Sequence, residues 1–209
     1  VAAPGRPAGT GEIYTVGHSN HSAEHLRSLL IAYRVEVVAD VRSVPRSAYA
    51  PWHDRRNLAR SLESVGIEYA FFGAELGGRP PEDDFYDDEG HVRYDLVAAS
   101  PRFRRGIEQL LELAGHRRVA LLCSEEDPEH CHRRLLVGRV LAADHNVTLR
   151  HIRGDGRVET EERVELAHHA QPSLFDDPTR PPWRSSRSVS PDARPRTSSK
   201  PSGARASAG

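Results

Sequence analysis

Methionine is absent from this 209-residue chain, lysine occurs once, at Lys200, and cysteine only twice, at Cys123 and Cys131. Two cysteines cannot build the disulfide framework of a small secreted protein, and such a pair is more often catalytic, metal-binding or simply buried. The missing methionine and near-missing lysine read as codon bias rather than mechanism. No apolar run approaches the roughly 18 to 20 residues of a membrane-spanning helix, and the N-terminus lacks the charged-then-apolar pattern of a secretion signal. A soluble cytoplasmic protein with no membrane partner is expected. Neither G-x-G-x-x-G nor a P-loop occurs, so dinucleotide or nucleoside-triphosphate binding by those devices is not supported.

What is present is enough for one core. With 37% hydrophobic residues and 28% charged, the chain can form one domain with polar appendages. Residues 1–11 are Pro/Gly/Ala-rich without periodicity and are expected to be a disordered arm. From residue 12 to 170 apolar strands alternate with amphipathic helices. Strands are expected at Ile13–Val16, Val35–Val41, Ile67–Phe72, Val119–Leu122 and Val147–Ile152. Between them run a helix capped by Ser22, with Leu26, Leu29, Leu30 and Tyr33 on one face, and a short helix bearing Leu58, Leu62 and Val65 up to Gly66. A further helix starts at Ser100-Pro101 with Phe103, Ile107, Leu110, Leu111 and Ala114 and ends at Gly115, and another carries Leu136, Val137, Val140 and Leu141. Strands alternating with helices imply crossover connections, hence an α/β fold: a single three-layer domain with a mainly parallel, Rossmann-like sheet.

The stretch Leu121-Leu122-Cys123-Ser124-Glu125-Glu126-Asp127-Pro128-Glu129-His130-Cys131-His132-Arg133-Arg134 holds both cysteines and is the most informative. Cys123 ends a strand and Cys131 opens a helix, where free N–H groups and the positive dipole end lower a thiol's pKa and attract anions. Ligands of open α/β sheets bind beyond the carboxyl ends of the strands. There the chain reads Gly17-His18-Ser19, Asp40-Val41-Arg42-Ser43, Glu75-Leu76-Gly77-Gly78 and Cys123-Ser124-Glu125.

Each residue has a structural reading as well. His18 can bond a neighbouring loop, Asp40 can cap turn amides or pair with Arg42, and Gly77-Gly78 can supply a turn. Together they favour a site, since such groups are costly to cluster without use. Cys131 or Cys123 is the candidate nucleophile, Glu125 or Asp40 the base or the holder of an imidazole, and His18 a further catalytic candidate. Arg42 and Arg133 could clamp a carboxylate or phosphate, with Ser19, Gly77, Gly78 and His132 completing substrate binding. Cys123, Cys131 and His132 could also ligate a metal, but adjacent Cys131-His132 is an awkward pair and no C-x-x-C occurs, so no metal is assigned and the cofactor is left open.

At these positions the chain resembles the domain-of-unknown-function 488 family of prokaryotes. The resemblance rests on Thr15-Val16-Gly17-His18-Ser19, Asp40-Val41-Arg42 with Pro45 and Ser47, Gly66-Ile67-x-Tyr69, Leu76-Gly77-Gly78, and Leu122-Cys123-Ser124-Glu125 followed by Cys131-His132-Arg133. It covers about residues 13–152 and implies the site residues more than any named activity. Arg79–Asp95 departs from the pattern in being acidic and long, at a loop that could cover the site.

Beyond the domain, Gln171-Pro172-Ser173-Leu174-Phe175-Asp176 resembles the peptide with which bacterial repair proteins dock on the DNA polymerase sliding clamp. Leu174 and Phe175 would fill an apolar pocket and Gln171 would anchor by hydrogen bonds. A strap packing Phe175 back on the domain is the alternative. Residues 177–209 form a Pro/Ser/Arg-rich tail expected to be disordered; from Pro178 onward seven basic residues stand against Asp192 alone, a net +6 that leaves −7 on residues 1–177 of the chain's −1. An acidic body does not grip DNA over a broad face, whereas this tail can add weak nucleic-acid contact. Three functions follow: an enzyme acting on an anionic nucleotide, modified base or related substrate, recruited to DNA by the peptide; a thiol/disulfide redox or sulfur-handling protein; and a non-catalytic ligand-binding adaptor.

Overall fold

A computed structural model describes residues 11–170. The clamp-like peptide, with Gln171, Leu174 and Phe175, and the basic tail lie outside the described residues, as does most of the N-terminal arm. The chain runs β1 (Glu12–Gly17), α1 (Ala23–Ala32), β2 (Val37–Asp40), α2 (Arg55–Glu63), β3 (Glu68–Phe71), α3 (Gly73–Leu76), α4 (Tyr94–Ala99), α5 (Pro101–His116), β4 (Val119–Cys123), α6 (Arg139–His145), β5 (Thr148–Ile152), β6 (Val158–Thr160) and α7 (Glu161–Ala170). A π-helical stretch, Arg133–Gly138, leads into α6.

The six strands form one sheet in the order β3-β2-β4-β1-β5-β6, with only β6 antiparallel. Two apolar layers cover it. On one face Val16, Val38, Ala120, Leu122 and Ile152 pack against Leu26, Leu29 and Leu30 of α1 and Leu58 and Leu62 of α2. On the other, Ile13, Val37, Ala39, Val119 and Leu121 meet Phe103, Ile107 and Leu110 of α5 and Leu136, Val137 and Leu141 around α6. The architecture is thus a three-layer α/β sandwich, as the alternation of patterns implied.

Local chemistry sets the boundaries. Ser22 caps α1 by accepting from the His25 N–H at 3.1 Å, and Ser100 caps α5 at the Phe103 N–H with Pro101 at the first helical position. β2 starts two residues later than the apolar run, because the Val35 N–H closes the end of α1 on the Leu30 carbonyl. α5 continues past Gly115 to His116. β6 and α7 were not anticipated. They follow a turn at Gly156, whose φ is +86°, and carry few apolar residues, so no periodicity announces them.

Strand order also places the site. The connections after β1 and β2 run over one face and those after β3 and β4 over the other, so the carboxyl ends of β2 and β4 diverge and leave a crevice. Such a switch point is where α/β sheets hold ligands. Among the described residues no helix is long and apolar enough to cross a membrane.

Candidate functional site

The crevice opens into a cavity of about 580 Å³ lined by Arg42, Ser43, Val44 and Arg46 after β2, Gly78 and Arg79 after α3, Tyr94, and Cys123, Ser124, Glu125, His130, Cys131 and His132 after β4. Six of the residues singled out from sequence meet here: Arg42, Gly78, Cys123, Glu125, Cys131 and His132.

The sulfur wall is its most distinctive part. Both cysteines are free and buried, and their Sγ atoms and a ring nitrogen of His132 all lie within 4.8 Å of one another. His132 Nε2 lies 2.8 Å from the Val41 carbonyl, which can only accept, so Nε2 carries a proton and Nδ1 is turned toward Cys123 Sγ at 3.6 Å. The awkwardness expected of adjacent ligands does not arise: Cys131 precedes the helical segment and His132 is its first residue, so their side chains leave the backbone in different directions and converge on Cys123.

The two neighbouring thiols shift in opposite directions. A hydrogen bond from Cys131, reinforced by His132 and Arg133, lowers the Cys123 thiol far below its ordinary value. Cys131, donating that bond and buried, is pushed up. Of the two candidate nucleophiles, Cys123 is the more acidic. Tyr94 is raised by burial and by both thiols, and stays a donor.

Arg42 is held rigidly. Its Nε and Nη2 donate to the Asp40 carboxylate at 2.8 and 2.6 Å, Nη2 also reaches the His53 carbonyl, and Nη1 lies 2.9 Å from His18 Nε2. Of five guanidinium N–H donors, one on Nη1 remains for the cavity. Asp40 is fully buried, and its second oxygen also accepts from the Tyr69 hydroxyl at 2.7 Å. Burial, then Asp40, pushes that hydroxyl up. Asp40 is thus committed to positioning Arg42 and does not line the cavity.

His18 is spoken for as well. Its Nδ1 donates to the Ser19 carbonyl at 2.7 Å, leaving Nε2 to accept from Arg42; burial, then the Arg42 charge, lowers its pKa to about 4. It is a neutral brace behind Arg42. Its ring stacks on His53, with centroids 4.5 Å apart.

Three other expected residues stand behind the wall. Arg133 is fully buried; Nη1 donates to the Glu125 carbonyl, Nη2 to the Glu126 carbonyl at 2.7 Å and Nε to Thr15 Oγ1 at 3.3 Å, so it pins the Cys123–Cys131 loop from below and does not reach the cavity. Ser19, at φ 45°, ties its backbone N–H to the Ser124 carbonyl. Gly77 lies beside Ser43, whose Oγ accepts from the Arg79 N–H at 2.9 Å. Two glycines are fixed by close approach: a Cβ on Gly17 would sit 1.8 Å from the Glu125 carbonyl oxygen, and one on Gly78 would sit 2.5 Å from His132 Cγ.

Sequence reading missed Arg46, Arg79, Tyr94, His130 and the supporting His53 and Tyr69. Arg46 and Arg79 are exposed and carry no side-chain ion pair among the described residues. They come from loops without periodicity, and Tyr94 opens α4, too short a helix to show a repeating pattern. Arg79–Asp95 frames the cavity with its two ends, while its acidic middle faces elsewhere, Glu82 pairing with Arg102. Glu125, exposed and without a side-chain partner among the described residues, lines the mouth.

A family described as "Domain of unknown function DUF488" matches residues 22–140. No curated protein and no solved structure matches the chain.

Proposed function

The chain belongs to the DUF488 family, a domain of unknown function, and from the site itself we propose that it is an enzyme acting on a small anionic substrate, a nucleotide or modified nucleobase derivative in particular. One observation carries the reading: one cavity holds a sulfur and imidazole wall together with Arg42, fixed by Asp40, and with Arg46 and Arg79, which have no side-chain ion pair among the described residues. Arg42 supplies a fixed donor, and Arg46 and Arg79 supply mobile ones. Charged hydrogen bonds of this kind contribute about 1.5 to 3 kcal/mol each, enough to orient an anion over Cys123 and His132. The volume suits a ligand of nucleotide size.

Screening nucleoside mono- and diphosphates and modified nucleosides for binding and turnover tests the reading. Arg46→Ala and Arg79→Ala each weaken an authentic ligand about tenfold or more; ligands indifferent to both substitutions contradict it. Recruitment to a sliding clamp through Gln171, Leu174 and Phe175 belongs to the same proposal, and clamp binding unaltered by replacing Leu174 and Phe175 with Ala would remove it.

A second reading is favoured by the two neighbouring free thiols. Cycling between dithiol and disulfide would make the protein a redox or sulfur-handling one. Paired loss of both thiols under mild oxidant, without dimer, supports that reading; thiols that persist oppose it.

A further inference from the structure

We infer that Cys123, Cys131 and His132 are a three-ligand site for a zinc-class divalent ion, its fourth position open to the cavity and its bound water served by Glu125 as base. This deepens the proposed function and rests on the cavity being the active site.

Geometry comes first. Tetrahedral zinc takes sulfur at about 2.3 Å and nitrogen at about 2.0 to 2.1 Å, so the ligand atoms of such a site lie roughly 3.5 to 3.8 Å apart. Cys123 Sγ and His132 Nδ1 are already separated by 3.6 Å, and all three atoms fall within 4.8 Å of each other. The remaining separations have to contract by about 1 Å at most to reach tetrahedral spacing. The imidazole is also placed as a ligand: its Nε2 is anchored on the Val41 carbonyl, which leaves Nδ1 as the nitrogen turned toward the sulfurs. Gly78 leaves the space in which that ring sits.

Charge comes second. As metal ligands both sulfurs are thiolates, and with Asp40 and Glu125 they would outweigh Arg42, Arg46 and Arg79 were it not for the charge of the ion. A divalent ion neutralises both sulfurs and leaves the cavity net positive.

The third argument is the open side. Structural zinc sites close with four protein ligands, whereas catalytic ones keep three and a water. The cluster supplies three, on the wall of an accessible cavity. Glu125, two residues beyond Cys123, lines the same opening, and its carboxylate has no side-chain partner among the described residues. Zinc enzymes acting on nucleobases pair thiolate and imidazole ligands with such an unligated glutamate. The implied reaction is hydrolysis. The water oxygen bonds to an electrophilic carbon of the substrate, the bond to the leaving group breaks, and the proton taken by Glu125 passes to that leaving group. No electron is gained or lost.

The experiment uses the full chain, reduced and stripped with a chelator, then titrated with Co²⁺ and, separately, Zn²⁺. One equivalent of Co²⁺ is expected to give the thiolate-to-metal charge-transfer band and strong visible bands of a tetrahedral site. One equivalent of Zn²⁺ is expected to shield both thiols from a chromogenic disulfide reagent until chelator is added. Cys123→Ser, Cys131→Ser and His132→Gln lose the spectrum, whereas Glu125→Gln keeps it. Thiols that titrate freely with Zn²⁺ present, or only the weak bands of hydrated Co²⁺, overturn the site. Phosphate and nucleotide binding, measured in parallel on the chelated protein, separates the two ideas: binding that persists while metal is refused overturns the zinc site alone. Absence of both overturns the cavity reading as well.

Discussion

His132 Nδ1 faces Cys123 Sγ across 3.6 Å because its Nε2 is tethered to Val41, so the end of β2 orients the imidazole that serves the end of β4. The contact depends on the missing side chain of Gly78. Gly78→Ala puts a Cβ 2.5 Å from His132 Cγ and forces the ring aside. The expected cost to folding is about 1 to 3 kcal/mol by urea denaturation, while affinity for cobalt falls about 10- to 100-fold. An unchanged cobalt titration would show that the ring has room elsewhere.

The Asp40–Arg42 pair is almost wholly buried, with side chains 0% and 3% exposed. A buried pair adds little net stability, but removing one member leaves a stranded charge. Asp40→Asn is therefore predicted to destabilise the fold by about 3 to 5 kcal/mol. Chemical denaturation checks this, and a loss below about 1 kcal/mol would mean that Arg42 finds water.

His18 makes stability depend on pH. Its pKa falls from 6.5 in the unfolded chain to about 4 in the fold, so below pH 6.5 the unfolded state binds a proton that the folded one refuses. Stability is complete above about pH 6.5 and declines as the pH drops toward 4. The loss is on the order of 3 kcal/mol. His53 is lowered too, chiefly by burial, and acts in the same direction. His18→Gln, which can still accept from Arg42, is expected to flatten the slope between pH 6.5 and 4; an identical slope in wild type and variant would place the pH dependence elsewhere.

Glu125→Gln separates chemistry from architecture. The side chain is exposed and has no side-chain partner among the described residues, so unfolding free energy is expected to stay within about 0.5 kcal/mol of wild type. Turnover of a substrate from the screen is expected to fall about 10²- to 10⁴-fold, the usual worth of a general base. Full activity would assign the proton transfer to another group, Tyr94 and His130 being the other candidates that line the cavity.

Much of this was legible in the residues. Periodicity gave the five parallel strands, and polar strand exits gave the rim on which Arg42, Cys123, Glu125, Cys131 and His132 meet. The partition between cavity wall and supporting layer was not. His18, Asp40 and Arg133 look like chemistry in sequence, yet bury themselves as braces, because one strong donor or acceptor at a crevice needs others behind it to hold it still. Arg46 and Arg79 escaped notice since loops carry no repeating pattern, and Tyr94 because α4 is too short to show one; only three-dimensional closure brings them to the sulfurs. The alternative in which Asp40 pairs with Arg42 is the one the fold adopts.

Alkylation of Cys123 in reduced, metal-free protein tests the central claim most directly, by comparing negatively charged iodoacetate with neutral iodoacetamide and locating the adduct by peptide mass. Arginines that gather anions over this sulfur predict a rate ratio favouring iodoacetate about tenfold over that of free glutathione, falling back when Arg46 and Arg79 are both replaced by Ala. A ratio equal to or below that of glutathione, unmoved by those replacements, would contradict an anion-binding active site.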